Sequence, residues 1–237
     1  MRCLLHLYFA LNTELNPSPI IIKDTSFFQA ETKGLHQSCF NWISCLAEGM
    51  KIVGSVIARL GSKRLTYKNL LPYKGEPLVL RALRKLLKSD KVDQVVLSTD
   101  SELIAHTCLI EGVEILFRPE NLAQDDVASV PVFQHIISHF PCDLHLNYNC
   151  NFPECDLSVI DQAITVAQET GESLSNPYAV WAQTKECLDG YGDPFKITAT
   201  RFDTLDAHPL DVHTMDDLLE VHRAHQKNFS WDKLKKS

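Results

Sequence analysis

Ile52-Val53-Gly54-Ser55-Val56-Ile57-Ala58-Arg59-Leu60-Gly61-Ser62-Lys63-Arg64-Leu65-Thr66-Tyr67-Lys68-Asn69 changes character halfway along its length. Ile52 to Ala58 is an apolar run of strand length, which suits a strand buried on both faces. The chain then turns cationic, with Arg59, Lys63, Arg64 and Lys68 around Gly61 and Ser62. A strand opening into a small-residue, four-cation loop suits a polyanion. Gly61 lets backbone N–H groups approach phosphate oxygens, and Ser62 adds a hydroxyl donor. A solvated basic loop is the competing reading. The order Gly61-Ser62-Lys63 does not satisfy the P-loop pattern, and Pro72 and Gly75 follow, so no helix starts at once.

The rhythm downstream decides the fold class. Pro77 to Leu87 has helical spacing, and Val92 to Ser98 reads as a second buried strand. Ser101 is placed as the N-cap of a helix stopped by Gly112. Val113 to Phe117 reads as a strand, Ser129 to Phe140 as a helix and Leu144 to Tyr148 as a strand. A helix capped by Asp156 runs to Thr170 and stops at Gly171. Alternating strands and helices predict a three-layer α/β/α fold with a mostly parallel sheet. The loops after its strands should converge on one rim. From Ser175 to His208 the pattern loosens, and short strands and loops are expected, serving a second ligand pocket or a dimer contact. Thr214 caps a last helix reaching His225, with Asp216 and Asp217 in its first turn.

Three segments are expected: an N-terminal extension over 1–49, a folded domain over 50–226 and a flexible tail over 227–237. Met50 is read as the original start, with a folded N-terminal cap as the competing view. Arg2 precedes a short apolar stretch, but His6 interrupts it and no small-residue cleavage site follows.

With 237 residues and a formal net charge of −7, the chain is a poor candidate for broad nucleic-acid binding. Its basic loop is a local island suited to a small anion. No run approaches the roughly 18 apolar residues of a membrane helix. Eight cysteines without a C-x-x-C pair read as reduced thiols in a cytoplasmic protein. His139, Cys142, His145, Cys150 and Cys155 raise zinc, yet the paired spacing is missing, and ordinary burial is the preferred reading. No Gly-x-Ser-x-Gly elbow is present, which disfavours a serine hydrolase.

Ala58-Arg59-x-Gly61-Ser62-Lys63, Lys68-Asn69, Ser98-Thr99-Asp100 and Arg118-Pro119-x-x-Leu122-Ala123-x-Asp125 together resemble the acylneuraminate cytidylyltransferases, or CMP-sialic acid synthetases. The resemblance covers about residues 50–170 and resumes over 210–218. The CMP-Kdo synthetases are a more distant likeness. It implies a Rossmann-like nucleotidyltransferase that moves CMP from CTP to an acidic keto sugar, releasing pyrophosphate, as a homodimer using Mg²⁺ or Mn²⁺.

By position, the resemblance implies that Arg59 and Lys68 hold the triphosphate, with Lys63 beside them. Asn69, Arg118 and Ser129 would recognise cytosine, whose carbonyl, ring nitrogen and amino group suit an amide, a guanidinium and a hydroxyl. Ala58, Gly61, Ser62, Ser98 and Asn149 complete the implied nucleotide set. The competing readings are that Asn69 closes a turn, Ser129 only caps a helix and Arg118 pairs with Asp125.

Two departures stand out. After the Leu144–Tyr148 strand, Asn149-Cys150-Asn151-Phe152-Pro153-Glu154-Cys155 replaces the family's Gln-Pro-Thr-Ser-Pro-Leu-Arg, so its arginine is gone. His145, Asn147, Asn149 and Asn151 then share one strand face, polar where a covered sheet should be apolar. Near the C-terminus, Leu210-Asp211-Val212-His213 replaces Ile-Asp-Ile-Asp. Asp211 is implied as metal ligand and catalytic with Arg59 and Lys68. His213 is a metal donor, a substrate contact or a backbone-satisfied residue; imidazole is a poor Mg²⁺ ligand. The 171–210 segment also looks shorter than the family's sugar-binding part. A nucleotide-binding module without turnover, or a related nucleotide-sugar glycosyltransferase, are the alternatives.

Overall fold

The computed structural model describes residues 49–62 and 64–225. Lys63 and the expectations for 1–48 and 226–237 fall outside the described residues. The chain divides into two units, Met1–Gly49 and Met50–Ser237. Every described strand and helix belongs to the second.

Its strands are β1 (Ile52–Ala58), β2 (Pro72–Tyr73), β3 (Glu76–Pro77), β4 (Gln94–Thr99), β5 (Val113–Phe117), β6 (Leu144–Tyr148), β7 (Glu172–Asn176), β8 (Val180–Thr184) and β9 (Thr200–Asp203). The helices are α1 (Leu78–Leu86), α2 (Glu102–Thr107), α3 (Ser129–His139), α4 (Leu157–Thr170), α5 (Lys185–Asp189) and α6 (Met215–His225). Seven strands form one sheet in the order β5-β4-β1-β6-β8-β7-β9, and β2 and β3 form a separate hairpin. β8 runs antiparallel to both its neighbours, and the other sheet pairings are parallel. The chain leaves β1 for β4 on one side and later lays β6 on the other side. Strand order therefore reverses at β1, where open α/β sheets form a crevice at the carboxyl ends of their strands.

β1 is apolar except for Ser55 because both its faces are covered. Ile52, Val56 and Ala58 pack with Val79, Leu83 and Leu86 of α1 and Val159, Ile160 and Ala163 of α4. Val53 packs on the other side with Val130, Phe133 and Ile136 of α3. Gly54 is the close-approach position: a Cβ there would meet Val92 Cγ1 at 2.9 Å.

Local chemistry sets the helix ends. Ser101 Oγ accepts from Ile104 N at 3.3 Å, and Asp156 accepts from Ser158 N at 2.9 Å. Gly171, at φ 86, ends α4 in the left-handed region that glycine tolerates. Thr214 and Asp217 cap α6 reciprocally, Asp217 N donating to Thr214 Oγ1 at 3.2 Å and Thr214 N to Asp217 Oδ2 at 2.7 Å.

One expectation needs correction. α2 ends at Thr107, not at Gly112; Gly112, at φ 83, belongs to the turn entering β5. The short strands expected over 175–208 are present as β8 and β9, while β7, which starts directly after Gly171, is one that the pattern did not assign; all three extend the main sheet. β7 hid because its buried residues are largely polar and satisfied. Ser173 Oγ donates to Ala163 O at 2.6 Å, and Glu172 accepts from Trp181 Nε1 at 2.9 Å and Thr198 Oγ1 at 2.7 Å. Likewise, the β6 members of the expected polar row, His145 and Asn147, are buried, His145 against Phe133 of α3. Ser55 Oγ lies 2.9 Å from His145 Nε2 and donates to Asn147 Oδ1 at 3.5 Å. Burial pushes the His145 imidazole down to about 3, with the neighbouring Gln183 side chain opposing it.

Among the described residues no helix is long and apolar enough to cross a membrane, and no group of three or more His, Cys, Asp or Glu is placed to hold a metal ion.

Candidate active site

A cleft of about 440 Å³ opens at the carboxyl ends of β1 and β6. Arg59, Gly61, Ser62, Arg64, Lys68 and Asn69 line one wall; Arg118, Asp125 and Ser129 line another. Asn147, Asn149, Cys150 and Asn151 form the β6 side, with Tyr178 and His213 completing the rim. Four cations thus meet in one cavity of an acidic chain.

Several braces hold the basic loop. Asp100, after β4, accepts from Leu60 N at 3.0 Å. Asn69 Nδ2 donates to Arg59 O at 2.9 Å, and its Oδ1 accepts from Cys150 Sγ at 3.3 Å. Asn69 therefore does close the turn, yet a carboxamide has a second N–H and a second lone pair to offer a base. Asn149 is engaged in the same way: its Oδ1 accepts from Asn151 N at 3.1 Å, and its Nδ2 donates to Tyr178 O at 3.5 Å.

Arg59 pairs with Asp125 across the cleft. Asp125 is thus the partner of Arg59 and not of Arg118. Arg118 is held by its backbone N–H to Thr99 O at 2.8 Å. Its Nε and Nη2 are buried without a hydrogen-bond partner. Burial holds its guanidinium below the ordinary value; Asp100 opposes this and Arg59 adds to it. Burial also lowers the Lys68 ammonium, with Cys150 and Asp211 opposing and Arg64 and Arg59 reinforcing. A buried cation with unmet donors is costly unless an anion completes it.

Ser129 is the first residue of α3, and the cap position is Ala128, so Ser129 is not the cap. Burial pushes the phenol of Tyr178 up to about 12, with the nearby Ser129 hydroxyl opposing.

The segment carrying Asp211 reaches the cleft through Val212, fully buried, whose N–H donates to Asn151 O at 2.9 Å. His213 Nε2 lies 2.7 Å from Asp211 Oδ2, and Arg64 Nη2 lies 2.8 Å from His213 Nδ1. Asp211 Oδ1 is buried with no hydrogen-bond partner. A bare carboxylate oxygen is the donor that Mg²⁺ or Mn²⁺ takes, so this position fits such an ion.

Of the residues singled out from sequence, Arg59, Gly61, Ser62, Lys68, Asn69, Arg118, Ser129, Asn149 and His213 line the cleft. Ala58, Ser98 and Asp211 do not: Ala58 and Ser98 are buried in the sheet at 1% and 0% exposure, and Asp211 sits behind the rim, bonded to the lining residue His213. Ser98 sits in register with Ile57, inside the sheet below the rim. Asp125, Asn147, Cys150 and Tyr178 are cleft residues that the motifs did not assign. Asp125 was visible in the pattern as a partner only; Cys150 burial, pushing its thiol up to about 11, leaves no signal in sequence.

Residues 53–202 match the family described as Cytidylyltransferase. The chain is 35% identical over 88 residues to the N-acylneuraminate cytidylyltransferase of Escherichia coli O18:K1:H7, covering 37% of this chain and 21% of that protein. It is 38% identical over 89 residues to a pseudaminic acid cytidylyltransferase of Campylobacter jejuni serotype O:2, covering 37% of this chain and 38% of that protein. The matches therefore span well under half the length of these relatives. Among solved structures, a CMP:2-keto-3-deoxy-manno-octonic acid synthetase complexed with CTP superimposes with a TM-score of 0.62 at 14% identity, covering 76% of this chain and all of that one. A Mycobacterium tuberculosis H37Rv protein complexed with manganese gives 0.52 at 19% identity, covering 72% of this chain and 97% of that one.

Proposed function

Because this chain belongs to the cytidylyltransferase family, we propose that it transfers CMP from CTP to a hydroxyl of a sialic-acid-like keto sugar acid, releasing pyrophosphate. The observation that carries this reading is the buried Arg118 guanidinium, with two unmet donors, facing a cleft that also holds Arg59, Arg64 and Lys68. That concentration of cations suits a triphosphate whose charge grows as pyrophosphate departs.

In this reading Arg59 exchanges Asp125 for a phosphate, and Lys68 neutralises the leaving pyrophosphate. Gly61 and Ser62 offer close N–H and O–H donors. Arg118, with the spare valences of Asn69 and the Ser129 hydroxyl, recognises cytosine. The amide side chains of Asn147, Asn149 and Asn151 and the Tyr178 phenol face the acceptor, whose hydroxyls they can hydrogen-bond. Asp211 Oδ1, with phosphate oxygens, would hold a divalent ion. That ion would supply positive charge at the α-phosphate and orient the reacting oxygens.

Pyrophosphate release from CTP is the test, measured with a panel of sialic-type, pseudaminic-type and octulosonic acids, each in Mg²⁺ and in Mn²⁺. The expected result is release that requires CTP, one class of keto sugar acid and an ion. Tight CTP binding without turnover across the panel would make the chain a nucleotide-binding module. Equal binding of UTP or GTP would refute the assignment of Asn69, Arg118 and Ser129 to the base.

A further inference from the structure

Resting on the CTP reading above, we infer that His213 does not bind the divalent ion but is a positioning residue, fixed by Arg64, that turns one oxygen of Asp211 toward it. Arg64 carries only donors, so the His213 nitrogen it meets at 2.8 Å must be the one bearing a lone pair. That places the imidazole proton on Nε2, which donates to Asp211 Oδ2 at 2.7 Å. Arg64, His213 and Asp211 thus form a directed chain: guanidinium N–H to Nδ1, then Nε2–H to carboxylate.

The chain ends on a single bare atom. Oδ2 is occupied, and Oδ1 is buried without a partner. The carboxylate is held in place because the backbone directly after it is tied down at two successive N–H groups. Val212 N donates to Asn151 O at 2.9 Å and its side chain is fully buried. His213 N donates to Asp217 Oδ2 at 2.9 Å, the same oxygen that accepts from Thr214 N. Lys68, which lines the cleft, lies within electrostatic reach of Asp211, and His213, bonded to Asp211, lines the same cleft.

For His213 to ligate an ion through either nitrogen it would have to surrender the Arg64 hydrogen bond, since Nδ1 would then hold either the ion or the ring proton. The ion would also have to settle beside the Arg64 guanidinium, a like charge. Imidazole is in any case a weak partner for Mg²⁺. Orientation of a ligating carboxylate by a hydrogen-bonded neighbour costs about 10- to 100-fold in metal affinity when lost. Arg64, part of the basic loop, thereby acts on the ion through His213 as well as lining the cavity.

The measurement is CTP affinity by calorimetry in Mn²⁺ and again in EDTA, the ratio isolating the ion's contribution. His213→Leu and Arg64→Met should each cut that ratio about tenfold. His213→Gln should restore it to within about threefold, since its amide accepts from Arg64 and donates to Asp211 but is a poor ligand. Electron spin-echo spectra of the bound Mn²⁺ should lack a ¹⁴N coupling from His213. A ¹⁴N coupling that disappears in His213→Gln, with a ratio as low as in His213→Leu, overturns the inference. So does a wild-type chain that binds CTP equally with and without Mn²⁺. A wild-type chain that binds CTP under neither condition refutes the CTP reading itself, and this inference with it.

Discussion

Replacing Arg118 by Met should make the ligand-free protein more stable and the CTP complex much weaker. The guanidinium Nε and Nη2 are both buried and unpartnered, so bulk water cannot satisfy them. An unmet buried donor costs about 1–3 kcal/mol. Taking the low end for each, with Asp100 offsetting part of the charge, removing both recovers about 2 kcal/mol. Met keeps the length of the stem, so little volume is lost. For a domain of this size each kcal/mol moves Tm by about 2–4 °C, which gives a rise of about 4–8 °C. Binding should respond oppositely. One charge-assisted hydrogen bond is worth about 1.5–3 kcal/mol, so CTP affinity should fall by about 10- to 100-fold. Differential scanning calorimetry of the free protein and titration calorimetry with CTP read the two effects separately. A lower Tm with unchanged CTP affinity would show that Arg118 braces the fold, and the ligand-facing reading would be lost.

Asp125→Asn should tighten CTP binding by about 3- to 10-fold, because Arg59 no longer has a competing carboxylate; weaker binding in titration calorimetry would mean that Asp125 aims Arg59 at its ligand. His145→Gln should flatten the acid limb of the stability curve. The folded imidazole titrates near 3 and the unfolded one near 6.5, so its contribution is present above 6.5 and is lost as pH falls toward 3. That loss is on the order of 4 kcal/mol, and urea midpoints from pH 7 to pH 4 that fall equally in both proteins would contradict it. The buried thiols act at the other end: Cys142, pushed up to about 11, stays neutral in the fold while the unfolded thiol ionises above about 9. Stability should therefore fall from pH 9 to 11, less steeply in Cys142→Ala, as thermal melts would record. Gly54→Ala should cost about 1–3 kcal/mol in urea unfolding, since its methyl meets the stiff Val92 side chain at 2.9 Å; no change would mean that the segment carrying Val92 into β4 can give way.

The elements that carried their own periodicity were legible. β5 and β6 occupy the residues expected of them, and the caps at Ser101, Asp156, Gly171 and Thr214 act as side-chain chemistry dictates. β7 was not legible, because Glu172, Ser173 and Ser175 are buried through hydrogen bonds formed only once neighbouring elements are in place. An alternation of polar residues looks the same in solvent and in a satisfied interior.

The site divides along the same line. The sequence alone determined a strand opening into a cationic loop, an alternation that makes a parallel sheet, and the family to which those residues belong. These follow from intervals of a few residues, which local backbone geometry converts directly into elements and rims. Only the tertiary structure decided that Arg59 meets Asp125, that Arg118 is left unpaired, and that Arg64 reaches His213. Those partners lie 66 and 149 positions apart in the chain, and which polar groups are satisfied and which are left for a ligand depends on the packing that brings them together.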